Sequence, residues 1–311
     1  MKKLNLIAGL PRAGTTLVCQ ILNSNPDFHV TPTSGVIDIL KNIRSTFSHN
    51  PTWKAQDRIE LMPNIKEGLN GFLNGFFFDK DVVFDKCRGW SNNLNLLDKI
   101  RGNEDTKIIW FYRDPVEIVG SIEAQHQKTI LLENADEAGA PAAFMTLDRR
   151  IGTFINNDSI ISYPVEILKD AIEMGYADRI MFVKYYDLTN NTQKTLDEIH
   201  DFIGEKHYKY NLNDVRQTTN EWDGTYNYKF MHKIKEGKIQ WKKADITLPA
   251  KYVSIISERF QALNNLMFSG DASELLGLQP GSVILPQIKP MTNNNANIDN
   301  NNANKENPFN V

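Results

Sequence analysis

The sequence has little cysteine, no long apolar run and no surplus of positive charge. Only Cys19 and Cys87 occur in 311 residues. Two thiols cannot build a framework of several disulfides, and their spacing fits no zinc-ligand pattern. Reduced thiols in a cytoplasmic protein are the expectation. Nothing approaches the roughly 20 consecutive apolar residues of a membrane-spanning helix. Met1-Lys2-Lys3 and the LNLIAGL that follows open like a signal peptide. The apolar stretch is short, however, and runs into Pro11 and Arg12, so a buried strand is expected there. Lys and Arg number 35 against 38 Asp and Glu, a net charge of −3. Nucleic acid or an anionic membrane recognised through bulk charge is therefore excluded. A small anion held in a local pocket is not. No repeat of about 20–50 residues is present.

What is present reads as a globular chain. Hydrophobic residues make up 41% and charged residues 23%, enough for a sizeable core. Residues 1–290 are expected to form the folded domain. The Asn-rich stretch 291–311 has almost nothing to bury and is expected to be disordered. Apolar strand-like runs cover Lys3–Ala8, Asp81–Asp85, Lys107–Tyr112 and Arg179–Tyr185. Helical patterns cover Thr16–Asn23, Pro115–His126, Pro164–Met174, Thr192–Ile203 and Pro249–Met267. Asp114 is the expected N-cap before Pro115. Continuous apolar strands between amphipathic helices predict the α/β class, with a mostly parallel central sheet flanked by helices. Ligands of such sheets gather beyond the carboxyl ends of the strands.

The first strand ends in Gly9-Leu10-Pro11-Arg12-Ala13-Gly14-Thr15-Thr16, and a helix follows at once. This nearly satisfies the phosphate-loop pattern G-x-x-x-x-G-K-[ST]. The glycines let the backbone turn its N–H groups toward an anion at a helix N-terminus. Thr15 stands where the lysine for the β/γ-phosphates should be, and a cation appears inside the loop instead, as Arg12. The third run ends in Phe111-Tyr112-Arg113-Asp114-Pro115, with Ser121 on the next helix. Arg113 at a strand end suits forked contacts with phosphate, and Ser121 adds a hydroxyl donor.

Pro11-Arg12-Ala13-Gly14-Thr15-Thr16-Leu17 resembles the P-[KR]-[SA]-G-T-T-[LW] segment of sulfotransferases that use 3′-phosphoadenosine-5′-phosphosulfate (PAPS). Arg113-Asp114-Pro115 with Ser121 is similar to that family's R-D-P-x-x-x-x-x-S. Lys184-Tyr185-Tyr186-Asp187-Leu188 resembles its R-Y-E-D-L, and Gly237-Lys238-Ile239-Gln240-Trp241-Lys242 its closing G-x-W-[RK]. The resemblance implies a P-loop-NTPase-like sulfotransferase fold. It implies in-line transfer of a sulfuryl group from PAPS to a hydroxyl or amine acceptor, without a metal. By that resemblance Arg12, Ala13, Gly14, Thr15 and Thr16 hold the phosphosulfate, Arg113 and Ser121 the 3′-phosphate, and Tyr185 the adenine. Lys238 or Lys242 is expected near the co-substrate. Lys86, in Asp85-Lys86-Cys87-Arg88, matches the N-K or D-K of the protein-tyrosine and bacterial branches and the K of K-x-H in cytosolic branches, and the resemblance implies that it acts on the transferring group with Arg12. In the K-x-H branch a histidine base stands where this chain has Arg88. The protein-tyrosine branch supplies a glutamate at a position falling near Thr33, and a second arginine where this chain has Gln125. Asp38, His49 and Glu60 follow in the region expected to line the acceptor site, and spacing singles out none of them. Phe47, Trp53, Phe72 and the run Phe76-Phe77-Phe78 line either that cleft or, by preference, the core. The acceptor class stays open among glycan, lipid, peptide and small molecule. Two rivals stand beside the transferase: a P-loop NTP-dependent kinase, with Asp85 as the magnesium ligand, and a non-catalytic nucleotide-binding module.

Overall fold

The computed structural model describes residues 2–56, 58–77, 79–132, 145–219, 221, 223, 229–241 and 248–288. Five strands, β1 (Lys3–Gly9), β2 (Phe28–Thr31), β3 (Val82–Lys86), β4 (Lys107–Tyr112) and β5 (Ile180–Lys184), form one sheet in the order β2-β3-β1-β4-β5. Every pairing is parallel. Burial follows the position of each strand. Central β1 and β4 are buried on both faces after their first residue, whereas edge strand β2 alternates. That alternation is why β2 is silent in the sequence: four residues with one face half-exposed make no apolar run.

Twelve helices accompany the sheet among the described residues. The first six are α1 (Thr15–Leu22), α2 (Val36–His49), α3 (Pro51–Lys54), α4 (Arg58–Phe76), α5 (Leu94–Arg101) and α6 (Pro115–Thr129). The others are α7 (Leu147–Ile155), α8 (Ser162–Glu173), α9 (Tyr185–Asn190), α10 (Thr192–Ile203), α11 (Ala250–Arg259) and α12 (Gln261–Ser269). Asp114 caps α6 as its sequence predicts, its side chain accepting from the Val116 N–H at 2.7 Å. A single helix over Pro249–Met267 is not formed. Phe260, at φ −112° and ψ 20°, leaves the helical basin, and the ladder is interrupted between α11 and α12. Tyr185, expected at the end of the fourth apolar run, instead opens α9.

The described chain divides into two compact units, Met1–Phe260 and Gln261–Val311. The first holds the whole sheet. Its core is led by Trp90, Trp110, Phe84 and Phe111, all inaccessible to solvent. One charged pair is buried with them. The Arg150 guanidinium on α7 donates from Nε and Nη2 to Glu123 on α6 at 2.8–3.2 Å. In the second unit, Gly270 adopts φ +78° and its carbonyl accepts from the Leu285 N–H at 2.7 Å. The Asn-rich stretch lies outside the described residues.

Candidate functional site

The carboxyl ends of β1, β3 and β4 open on one cavity of about 650 Å³. Its shape begins at two glycines. Gly9 leaves β1 with φ +129°, and a Cβ there would meet the Phe111 carbonyl oxygen at 2.2 Å. Only glycine allows β1 to pass that close to the end of β4. Gly14 sits at φ +90° and caps α1, where a Cβ would press on Leu188 and on the Tyr185 ring. No side chain caps α1, and its first turn carries no acidic residue. The first N–H groups of α1 therefore lack partners within the helix, at its positive end. Arg12 joins the turn in a left-handed conformation, φ 58°.

Two guanidinium groups converge beside this loop. Arg113 donates from Nε to Glu117 at 2.9 Å and from Nη1 to the Arg12 carbonyl at 3.2 Å. Its guanidinium carbon stands 4.4 Å from the centre of the Tyr185 ring, a cation–π contact. Arg12 donates from Nε to Ser121 Oγ at 3.3 Å and from Nη1 to the Met231 carbonyl. Burial, and then the Arg113 charge, hold the Arg12 guanidinium below the ordinary arginine range. Two like charges held this close are costly, and the Glu117 carboxylate beside Arg113 offsets part of that cost.

On the far side of the loop, Lys86 at the end of β3 donates to Thr16 Oγ1 at 3.2 Å. Its Nζ lies 3.6 Å from Glu221 Oε1. Glu221 comes from the segment after α10 and is positioned by α1. There the buried Gln20 amide donates to Thr219 Oγ1 at 2.7 Å and accepts from the Thr218 N–H at 2.8 Å. The Thr33 hydroxyl donates to Glu221 Oε2. An antiparallel bridge between Val215 and Gly237 carries the return leg. On it, His232 Nδ1 sits 2.5 Å from Asp223 Oδ1 and Nε2 3.7 Å from Glu221 Oε2. Cys19, behind this cluster, is pushed up to about 12 by burial, so its thiol stays protonated.

Of the residues singled out from the sequence, Arg12, Gly14, Thr15, Thr16, Lys86, Arg113 and Tyr185 all line the cavity. Ala13 is fully buried and offers only its backbone, and Ser121 joins through Arg12. Lys238 also lines the cavity, while Lys242 falls outside the described residues. Asp38 lines it as well. His49 instead ends α2 with Nδ1 bonded to Ser45, and Glu60 is exposed on α4. The aromatic residues for which packing is preferred over an acceptor cleft pair with one another: Phe47 with Trp53 at 4.8 Å, and Phe76 with Phe72 and Phe77 at 5.9 and 5.2 Å. Phe78 lies outside the described residues. Ile160 and Tyr163 are among the apolar residues that line the cavity. Asp85 is fully buried, and its two oxygens accept from Thr31 Oγ1 and Trp90 Nε1 at 2.5 Å each. Among the described residues no cluster of His, Cys, Asp and Glu could hold a metal ion. The sequence pattern missed Glu221, Asp223 and His232.

Residues 3–222 match the family model for the sulfotransferase domain. No curated protein matches the chain. Among solved structures, the sulfotransferase domain of the Synechococcus PCC 7002 olefin synthase is 17% identical, with 84% of this chain and 96% of that one covered and a TM-score of 0.43. A mouse sulfotransferase complexed with PAP is 14% identical, with 84% and 83% covered and a TM-score of 0.47. A sulfotransferase from Alicyclobacillus acidocaldarius is 10% identical, with 90% and 97% covered and a TM-score of 0.46. With the family model spanning β1 to the segment that carries Glu221, the chain belongs to the sulfotransferase family and is a transferase of sulfuryl groups.

Proposed function

We propose that the chain moves a sulfuryl group from PAPS to a hydroxyl or amine acceptor in the cavity between α1, Lys86 and the Arg12–Arg113 pair. One observation carries the reading. Two anion-suited sites, a partnerless helix N-terminus and a pair of guanidinium groups, lie at adjacent strand ends on the same cavity. PAPS carries two such groups on one nucleoside. The α1 N-terminus and the Thr15 and Thr16 hydroxyls hold the 5′-phosphosulfate. Arg113 and Ser121 hold the 3′-phosphate, and Tyr185 packs on the adenine or orients Arg113 beneath it. Arg12 reaches Ser121 and so adds a second cation to the 3′ site, where a branch of the family uses an arginine in place of Gln125. Gln125 meanwhile holds the Lys229 carbonyl at 2.8 Å.

The reacting atoms need an in-line path and charge stabilisation on the leaving oxygen. Lys86 stands between the α1 terminus and Glu221 and is the group that neutralises the bridging oxygen as the S–O bond breaks. The phosphate-loop kinase reading is not favoured. Thr15 replaces the lysine, and both Asp85 oxygens are engaged by Thr31 and Trp90. Thr33, Ser34, Asp38, Lys41, Arg88, Ile160 and Tyr163 line the part of the cavity left for the acceptor. No described helix is long and apolar enough to cross a membrane. The unpaired thiols of Cys19 and Cys87 support a reducing, cytoplasmic setting. Calorimetry with adenosine 3′,5′-bisphosphate (PAP), the product left after transfer, tests the reading. Binding without added metal supports it, and binding of ATP·Mg²⁺ with no affinity for PAP contradicts it.

A further inference from the structure

We propose that Glu221 is the base that takes the acceptor's proton, a carboxylate delivered by a distant segment to a place where the loop after β2 carries only Thr33. The proposal rests on the PAPS-dependent reading above. The Glu221 side chain is 8% exposed. Its Oε2 accepts from the Thr33 hydroxyl, while its Oε1 accepts no hydrogen bond from any described residue. Buried polar atoms almost always find a hydrogen-bond partner, and one that does not calls for a reason. The neighbouring charge is not that partner: Lys86 Nζ stands 3.6 Å from Oε1, too far for a hydrogen bond, and donates to Thr16. An incoming O–H is a donor of the right kind. Thr33 shows the geometry, since an alcohol hydroxyl already donates to this carboxylate from its other side.

Position supports the role. Thr33, Lys86 and His232 surround Glu221 and all three line the cavity, so the carboxylate stands directly behind that part of the wall, beside the lysine. The charged and titratable groups facing Glu221 are Lys86 from β3, Cys19 from α1, and His232 with Asp223 from the loop. Asp223 holds His232 at 2.5 Å, and His232 in turn braces Oε2. His232 is thus a positioning residue. The step balances as follows. The acceptor oxygen forms a bond to sulfur as its proton passes to Glu221. The bond from sulfur to the bridging oxygen breaks, and its electron pair stays on the 5′-phosphate of PAP beside Lys86. Glu221 then releases the proton to water.

The test compares Glu221→Gln with the unaltered enzyme, using PAPS with benzyl alcohol and with 4-nitrophenol as probe acceptors. Water, read as PAP released from PAPS, replaces benzyl alcohol should the alcohol not be taken. Benzyl alcohol and water need a base, whereas 4-nitrophenol ionises by itself near neutral pH. Transfer to benzyl alcohol is expected to fall by about 10²–10⁴-fold, as for loss of a general base, and transfer to 4-nitrophenol by less than about tenfold. PAP affinity is expected to stay within about threefold, well under the tenfold that corresponds to 1.4 kcal/mol. Equal losses on both acceptors with PAP affinity intact overturn the base. Failure of the unaltered enzyme to bind PAP overturns the co-substrate reading instead. Collapse of the acceptor ratio in His232→Asn rather than Glu221→Gln moves the role to the imidazole and also overturns the proposal. If Glu221→Gln does not fold, Glu221→Asp withdraws the carboxylate by one methylene and is expected to shift the same ratio in the same direction.

Discussion

Arg113→Ala is expected to weaken PAP and to leave adenosine 5′-monophosphate, which lacks the 3′-phosphate, nearly unaffected. Arg113 is 7% exposed, and its guanidinium is fixed from three sides, by Glu117, by the Arg12 carbonyl and by the Tyr185 ring. A donor so fixed loses little further freedom on binding, so most of its hydrogen-bond energy is realised. A hydrogen bond to a charged partner contributes about 1.5–3 kcal/mol, which corresponds to ~10–150-fold in affinity. Removing the 3′-phosphate from the ligand and Arg113 from the protein forms a double-mutant cycle, whose coupling energy should fall in that same range. Calorimetry on both proteins with both nucleotides measures it. Loss of the Glu117 partner and of the Tyr185 stacking affects both ligands and cancels in the cycle. Equal weakening of the two nucleotides would refute the reasoning, because Arg113 would then act by supporting the loop rather than by meeting the 3′-phosphate.

Other consequences are as specific. Arg12→Ala should reduce both PAP affinity and transfer, because its guanidinium is bonded to Ser121, in the proposed 3′-phosphate cluster, while its backbone belongs to the loop proposed to hold the phosphosulfate. The pair of measurements, Kd for PAP and kcat for transfer, separates this from loss of transfer alone. Lys86→Met should lower kcat by about 10²–10³-fold, the scale for removing one preorganised charge-stabilising donor, with Kd for PAP changed far less. Gly9→Ala should fail to give a stable fold, since its Cβ would stand 2.2 Å from a backbone oxygen in a central strand that cannot yield; thermal unfolding checks it. Arg150→Met leaves the Glu123 carboxylate buried without its partner and should destabilise the protein by about 3–5 kcal/mol in denaturant unfolding.

Stability should also fall in mild acid through His200. Its Nδ1 donates to the Lys206 carbonyl, so Nε2 is the atom that accepts the Tyr210 hydroxyl, and burial holds its pKa below the ordinary 6.5. The unfolded chain therefore binds a proton that the native one refuses. Stability is full above pH 6.5 and falls as the pH drops from there toward the lowered native value. His200→Gln should flatten that part of a plot of stability against pH, and an unchanged slope would remove His200 from the account.

The central strands, and the placing of the loop after β1 and of Arg113 on one cavity, were legible because their signals are local. β4 is buried from its second residue onward, and its apolar run matches the observed strand from Lys107 to Tyr112. The glycines and threonines after β1 are contiguous, and the arginine after β4 sits at a strand end, so topology alone brings them to one side of the sheet. Edge strand β2 was not legible, because four residues with one face half-exposed lack any periodic signature. The helical pattern over Pro249–Met267 ran past a break that rests on one residue's backbone angles, which no side-chain pattern encodes. Glu221 was hidden for a different reason. It lies 188 residues from Thr33 in the chain, and Gln20 on α1 brings it there by gripping Thr218 and Thr219. Sequence spacing locates a carboxylate within its own loop, not one carried in by a long-range side-chain clamp.

The low supply of excess positive charge, which excluded a partner held by bulk attraction, is consistent with a site that uses only a few cations. Arg12, Arg113 and Lys86 are drawn from 35 basic residues in a chain of net charge −3, and they gather on one cavity. The most direct test is transfer of ³⁵S-labelled sulfate from PAPS to a panel of hydroxyl and amine acceptors, in the absence of metal. The account predicts labelled product with PAP formed in equal amount, and loss of both in Lys86→Met. Binding of PAP with no labelled product and no PAP release from PAPS under any acceptor would contradict it and leave a nucleotide-binding module.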